Sequence, residues 1–382
     1  MYPDGRALLM VGETYNTADV YYVTRYLFPD PAIYLDKGDG DSLIACTDFE
    51  REGAKRSKAA RVRGFHDYGA DELPRDMPDH ERLAELTLRM LRAENVTRAV
   101  TTDDIPLSVA DHVRAHGVDL ICQPDLLKAR RELKEPAELA AIESAQRAAE
   151  RAMQVAMDRI AGSLVGDDGL LYTGEVPLTS ERLRATIDAF LLEDNCTGEG
   201  TIAASGPDSA QPHNRGQGPI RAGQPIVVDI FPRHNEYRYH ADMTRTFSKG
   251  APDPEVARMY EVTNAALVLA LGLIRPGTTG RAVFEAVCRR YEDHGYATYL
   301  RNHSYPEAGF IHSLGHGVGL SVHEGPRLGR PENALREGEV ITVEPGLYVP
   351  GLGGVRIEDM VVVTADGCRN MTVFPKTLVI SG

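Results

Sequence analysis

The sequence predicts an α+β protein of two domains, residues 1–127 and 128–382. Three observations predict it. The first part alternates short apolar runs with amphipathic stretches, a layered α/β pattern. A charged junction, Lys128 to Pro136, follows. Beyond it, long helical stretches alternate with apolar strands joined by tight, polar or Gly-rich turns. Hydrophobic residues make up 42% of the 382 and charged residues 26%. That composition supports sizeable cores and excludes a largely disordered chain.

Taken in order, Ala7–Val11 and Ala32–Leu35 are strand candidates, and the Lys-Gly-Asp-Gly-Asp turn makes 33–47 a hairpin. The basic run Arg51 to Arg63 reads as a solvated helix face. Leu83, Leu86, Met90 and Leu91 give 79–94 helical spacing. Strands at 99–101 and 119–122 flank a helix at 107–116. After the junction, Pro136 suits a first helical turn, and an Ala-rich helix runs to about Ala161, polar enough to lie on a surface and bridge the domains. Residues 166–177 read as a flexible acidic loop. Further helices are expected at 179–193, 254–274 and 279–294.

The formal charge is 42 − 56 = −14, which disfavours nucleic-acid binding. The longest apolar run, Ala265 to Ile274, is too short to span a bilayer, so no membrane association is expected. The first residues have no apolar segment of the secretory kind. Cys46, Cys122, Cys196, Cys288 and Cys368 are scattered without metal or redox spacing. These features predict reduced thiols and a cytoplasmic location.

The chemistry-bearing residues lie in the second domain. Pro225–Phe231 is an apolar strand carrying Asp229; Arg233–Glu236 is a polar turn; Tyr237–Phe247 reads as the returning strand and carries Asp242. The midpoint of 229 and 242 falls inside the turn, so a symmetric hairpin sets the two aspartates opposite each other. The construction recurs in Glu339–Glu344, the turn Pro350–Gly354 and the return Val355–Val363, which sets Glu344 against Glu358. Facing acids in apolar strands repel, and hard divalent cations with oxygen ligands relieve them. A Gly-rich segment, 310–324, adds His312, His316 and His323, and an imidazole ligand shifts a site towards manganese, cobalt or zinc. His213 stands in a polar loop upstream. By strand parity His240 shares the face of Asp242 and borders the site. Each residue alone has a plain structural reading; Arg245, for one, could simply neutralise Asp242. The joint pattern points to a two-metal hydrolase.

Lys-Glu-Pro-Ala-Glu-Leu at 134–139, Val-Val-Asp-Ile, Ala-Asp-Met-Thr-Arg-Thr-Phe, Ser-Leu-Gly-His-Gly-Val-Gly, Val-His-Glu, Thr-Val-Glu-Pro-Gly-Leu-Tyr and Val-Arg-Ile-Glu-Asp stand in order from Lys134 to Val379. This region resembles the pita-bread metallopeptidase family of methionine aminopeptidase, Xaa-Pro aminopeptidase and Xaa-Pro dipeptidase (prolidase). Tyr21–Tyr26 resembles a segment of the creatinase-type N-terminal domain, which places the chain nearer the proline-specific branch. The resemblance implies a pita-bread catalytic domain behind a smaller creatinase-like α/β domain. It implies five metal ligands, Asp229, Asp242, His316, Glu344 and Glu358, holding two divalent ions (Mn²⁺, Zn²⁺ or Co²⁺). Asp242 and Glu358 would bridge the ions, with a hydroxide between them. The reaction implied is hydrolysis of the bond preceding proline, as dipeptidase or aminopeptidase.

Roles follow from the same resemblance. Glu344 would shuttle the proton and His323 steady the oxyanion. His213 would position the substrate, a small peptide with proline second. Arg356 would fix the bridging ligands or the substrate carboxylate, and His312 would wall the pocket. Phe190 and Tyr348 are candidates for the proline pocket. A homodimer is expected, as in relatives. Two other readings stay open: a hydrolase of a non-peptide C–N bond, as creatinase-like and ectoine-hydrolase-like relatives are, and a non-catalytic binding protein on the same fold.

Overall fold

A computed structural model describes residues 2–381. The chain divides into two compact units, the first ending at Arg131 and the second beginning at Glu132. The division falls after the short helix Lys128–Glu132 begins, because Arg131 is tied to Asp19 by a buried 2.8 Å ion pair.

The first unit is a six-stranded mixed sheet. Its strands are β1 (Ala7–Gly12), β2 (Ala32–Asp36), β3 (Ser42–Cys46), β4 (Arg61–Gly64), β5 (Arg98–Thr101) and β6 (Asp119–Cys122), in the order β4-β3-β2-β1-β5-β6. The hairpin β2–β3 is antiparallel, and β5 joins β1 in parallel. Strand side chains alternate between faces. Leu9, Val11, Ile33 and Leu35 meet α2 (Asp79–Ala93) and α3 (Leu107–Ala115) on one face; Leu8, Met10, Tyr34 and Ile44 pack with Val20 of α1 (Ala18–Thr24) and with Phe28 on the other. The basic run is not one helix face. Only Arg51–Ala54 is helical, and Arg61 belongs to β4, where it pairs with Asp41 and Glu94.

The second unit opens with α4 (Pro136–Ala161), started by Pro136 and by the Glu138 carboxylate accepting from the Glu135 amide at 2.8 Å. Contrary to expectation, α4 does not simply lie on the surface. Its stripe of Ala141, Ile142, Ala145, Ala149, Ala152 and Met153 is buried, small side chains allowing close packing. Nor are residues 166–177 a loop: 164–165, 171–173 and 176–177 form a small antiparallel sheet. The helices α5 (Ser180–Glu193), α6 (Pro254–Leu273) and α7 (Gly280–Asp293) are capped by Thr179, Asp253 and Thr279, each accepting from a first-turn amide. By length and hydropathy α6 could cross a membrane, a property missed by scanning for unbroken apolar runs. Its residues Met259, Ala266, Leu267 and Ala270 lie in the unit's main core with Val283, Phe284 and Val287 of α7.

Two strand systems carry the site. In one, β7 (Ile202–Ser205), β8 (Ile226–Ile230), β9 (Met243–Lys249) and the terminal pair Val379–Ile380 form a sheet in that order. In the other, β10 (Gly315–Gly317), β11 (Glu324–Leu328), β12 (Val340–Val343), β15 (Asp359–Val363) and β16 (Cys368–Asn370) run β11-β10-β12-β15-β16. The hairpin β13 (Gly346–Val349) and β14 (Gly353–Arg356) lies between β12 and β15 in the chain.

Candidate metal centre and cleft

The first acid hairpin has a different register from the symmetric one. Asp229 pairs with Thr244, not Asp242, and Asp242 stands just before β9 begins. The connection is not a simple turn: Pro232–His234 turns aside to pair with Cys196–Gly198, and 237–242 is not strand. Asp242 is thus a diagonal neighbour of Asp229 on the same face, still within reach. The second hairpin keeps one register throughout. Val343 faces Asp359 and Gly346 faces Arg356, so Glu344 and Glu358 stand opposite each other where the ladder is interrupted. There the Glu358 amide donates to Thr244 O at 3.0 Å and the Glu344 amide to Leu314 O at 2.8 Å. The two strand systems are stitched together at the acids themselves.

One oxygen each of Asp242 and Glu358 and one ring nitrogen of His316 lie within 4.8 Å of one another, all buried. His316 is held by its backbone amide on Thr342 Oγ1 at 3.0 Å, and its Nδ1 lies 3.1 Å from Gly317 O. A carbonyl only accepts, so Nδ1 carries the proton. The Nε2 lone pair is left facing Asp242 Oδ2 (3.7 Å) and Glu344 Oε1 (3.5 Å). Burial lowers the His316 pKa to about 3, so the ring is neutral and competent as a ligand. Glycines flank it because there is no room for a side chain. A Cβ on Gly315 would fall 2.0 Å from Thr342 O, and one on Gly317 1.9 Å from Gly325 O.

Asp229 shows a division of labour within one carboxylate. Its Oδ2 accepts from Arg356 Nη2 at 2.7 Å, while Oδ1 is buried without a hydrogen-bond partner. Burial, then repulsion from neighbouring carboxylates, pushes Asp242 and Glu358 well above the usual carboxyl range. Burial raises Glu344 to about 7. Four carboxylates thus converge on one guanidinium, an orphaned acceptor and an open imidazole nitrogen. This oxygen-rich set with one nitrogen fits hard or borderline divalent cations.

Arg356 is buried, and its nitrogens are committed to Asp229, to Thr244 Oγ1 (3.1 Å), to Tyr348 OH (2.9 Å) and to Pro212 O (3.4 Å). Its direct carboxylate contact is with Asp229, not with the expected bridging pair Asp242 and Glu358; it reaches Glu358 only through Thr244. Tyr348 continues the chain. Its hydroxyl accepts from Arg356 and lies 2.9 Å from His312 Nε2, while His312 Nδ1 lies 2.7 Å from Ser313 O. Since Nδ1 must donate to that carbonyl, Nε2 accepts from Tyr348. Burial keeps His312 neutral, near 3. Asp229, Arg356, Tyr348 and His312 therefore form one directed hydrogen-bond chain. Thr244 links it to Glu358 Oε2 at 2.7 Å.

These groups floor a cavity of about 640 Å³. His213 and His323 line its exposed side, and His323 meets His316 edge-on, ring centroids 4.3 Å apart. Ile202, Phe231, Ile311 and Val322 supply an apolar wall. Of the residues expected at the site, His213, Asp229, Asp242, His312, His316, His323, Glu344, Arg356 and Glu358 all line the cavity. Three expectations fail. His240 is buried away from the cavity, its amide donating to Gly319 O at 2.8 Å, because the strand its parity assumed is absent. Neither candidate for the proline pocket, Phe190 or Tyr348, is among the lining residues. Arg245 does not serve Asp242; it is fully buried against Asp359 at 2.9 Å. Sequence reading missed Phe231, Arg215 and Arg327. Arg327 pairs in register with His316, is exposed, and makes no ion pair with a described side chain. Its place four residues beyond His323, just past the Gly-rich segment, was the available signal.

Comparison with known proteins agrees with this geometry. Residues 140–365, more than half the chain, match metallopeptidase family M24. An Xaa-Pro dipeptidase of Pyrococcus furiosus is 34% identical over 253 residues, 65% of this chain and 65% of that protein's length. The prolidase structure from Pyrococcus horikoshii superposes with a TM-score of 0.77 at 25% identity, covering 98% of this chain and 95% of that one. The X-Pro aminopeptidase structure from Thermotoga maritima gives 0.80 at 25% identity, covering 98% and 97%. Every residue lining the cavity falls within the matched span, and by that match the chain belongs to metallopeptidase family M24.

Proposed function

We propose that this protein is a metal-dependent peptidase that hydrolyses the bond preceding proline, acting as a dipeptidase. The observation that carries the reading is the Asp242, His316 and Glu358 cluster on the floor of a cleft. Asp229, with its free Oδ1, and Glu344 extend it to five donors, enough for two ions. Mn²⁺, Co²⁺ and Zn²⁺ are the ions the donor set suits. The relatives named as Xaa-Pro dipeptidase, prolidase and X-Pro aminopeptidase support the substrate class.

Divalent cations at this centre would acidify a water and polarise the scissile carbonyl. The chain's own groups do the rest. Glu344, a carboxylate at the centre, can take a proton from that water and return it to the leaving amine. His323 stands at the cavity edge to donate to the developing oxyanion. The Asp229–Arg356–Tyr348 chain fixes one ligand oxygen and leaves the other free. His213 at the rim orients the substrate, and the Phe231 wall receives the proline ring. Arg327, an uncommitted cation on the cleft, matches a dipeptide's terminal carboxylate and favours dipeptidase over aminopeptidase. The same reading carries a homodimer in the cytoplasm, checked by sedimentation and fractionation.

The test is amino-acid release from Ala-Pro and Ala-Pro-Ala by chelated protein, with and without Mn²⁺. Mn²⁺-dependent cleavage of Ala-Pro, with the tripeptide left intact, is expected. Cleavage of the tripeptide after Ala would make it an aminopeptidase. Cleavage of neither by metal-loaded protein would sink the reading and direct the search to non-peptide amides.

A further inference from the structure

His323, a proposed catalytic group, is exposed at the cleft. Its neighbour is the opposite. Glu324 is tucked inward, with 6% of its side chain exposed, and pairs with Lys134 Nζ at 3.2 Å, whose side chain is fully buried. Glu324 Oε1 also accepts from the Ser321 amide at 2.9 Å, and the carboxylate lies against Gly319, where a Cβ would fall 2.6 Å from Oε2. The loop from Gly319 is pinned at its start as well, Gly319 O accepting from the His240 amide. Lys134 is in turn fixed by its own amide on Gly338 O at 3.0 Å, one residue from Glu339 and the entry to β12.

We propose that the buried Lys134–Glu324 pair is a positioning device for His323. His323 lines the cleft while the adjacent Glu324 is buried, so anchoring Glu324 in the interior fixes the backbone from which His323 meets His316. The physical argument is one of cost. A buried ion pair is a poor stabiliser, because desolvating both charges offsets their attraction. What such a pair does supply is a single geometry. Here that geometry belongs to the short turn 319–321, which the Glu324 carboxylate holds through the Ser321 amide and through its packing on Gly319. Neither charge faces the cleft, so both residues act through His323 and not on substrate. The proposal rests on the peptidase reading for its kinetic arm only.

The test compares wild type, Lys134→Met/Glu324→Met, Glu324→Gln and His323→Gln. The double Met variant should keep thermal stability, since replacing a buried pair by apolar residues is commonly neutral. It should bind Mn²⁺ with unchanged affinity, because His323 is not among the proposed ligands. Its kcat on Ala-Pro should fall about 10- to 100-fold with KM nearly unchanged. Made in the His323→Gln background, the same change should cost nothing further. Amide exchange across 318–325 should quicken in the double variant and not elsewhere. Wild-type kcat in the folded double variant, or full multiplicative loss in the His323→Gln background, would overturn the proposal. If the double variant does not fold, Glu324→Gln decides on the same cycle, since Gln keeps the acceptor for Ser321 and drops the charge. Wild type inactive on Ala-Pro would sink the peptidase reading, while the exchange arm would still decide the anchor: unchanged exchange across 318–325 refutes it.

Discussion

Burial lifts the Glu344 carboxyl from its usual 4.5 to about 7 and drives Asp242 and Glu358 up as well, while it lowers His312, His316 and His240 to about 3. The two sets have opposite linkage. A raised carboxyl contributes stability in full below 4.5 and loses it as pH rises through about 7. A lowered imidazole contributes above 6.5 and loses stability as pH falls towards 3. They oppose each other between 4.5 and 6.5; above that only the carboxyls titrate. Chelated protein should therefore lose thermal stability from pH 6.5 to 8.5. Mn²⁺, which needs deprotonated ligands, should restore more of it at the higher pH. Melting curves with and without Mn²⁺ check this, and a gap that does not widen with pH would refute it. At Arg327, replacement by Met should lower kcat/KM for Ala-Pro about 10- to 100-fold, the worth of one charge-assisted hydrogen bond, and leave Ala-Pro amide unaffected. Equal loss on both would remove the carboxylate from its role. The candidate ligands stood out in the sequence because acids in apolar strands are costly. Arg327 was not, because an arginine on an exposed strand edge looks like any other.

At the scale of elements, helix limits were easiest to read: proline and a threonine or aspartate cap announce each start in the second unit. Hairpins were harder. The 340–363 hairpin keeps a symmetric register because its two ladders, on either side of the interruption at Glu344 and Glu358, share one pairing. The 229–244 hairpin does not, because Pro232–His234 leaves to pair elsewhere, a competition no local pattern reveals. The closeness of β10 to its neighbours is the element-scale device that places His316. Gly317→Ala must push a Cβ into Gly325 O, so it should destabilise the protein by about 1–3 kcal/mol. It should also weaken Mn²⁺ affinity about tenfold or more. Calorimetric titration of the folded variant measures the second effect; wild-type affinity would show that β10 does not set the imidazole.

At the scale of the whole molecule, two units with separate cores predict unfolding that is not a single transition. Scanning calorimetry should resolve two, and Mn²⁺ should raise only the one belonging to residues 132–382. A shift of both, or one cooperative transition, would mean the units unfold together. The layered first unit was read from alternation alone, and the buried face of α4 was not, since alanine looks neutral until its neighbours are known. The Asp242, His316 and Glu358 cluster draws on three distant stretches of chain and on both strand systems. A fragment that lacks any one of those stretches lacks one of the three donors. An ion held there would act as an inspector of finished chains, rewarding only completed topology.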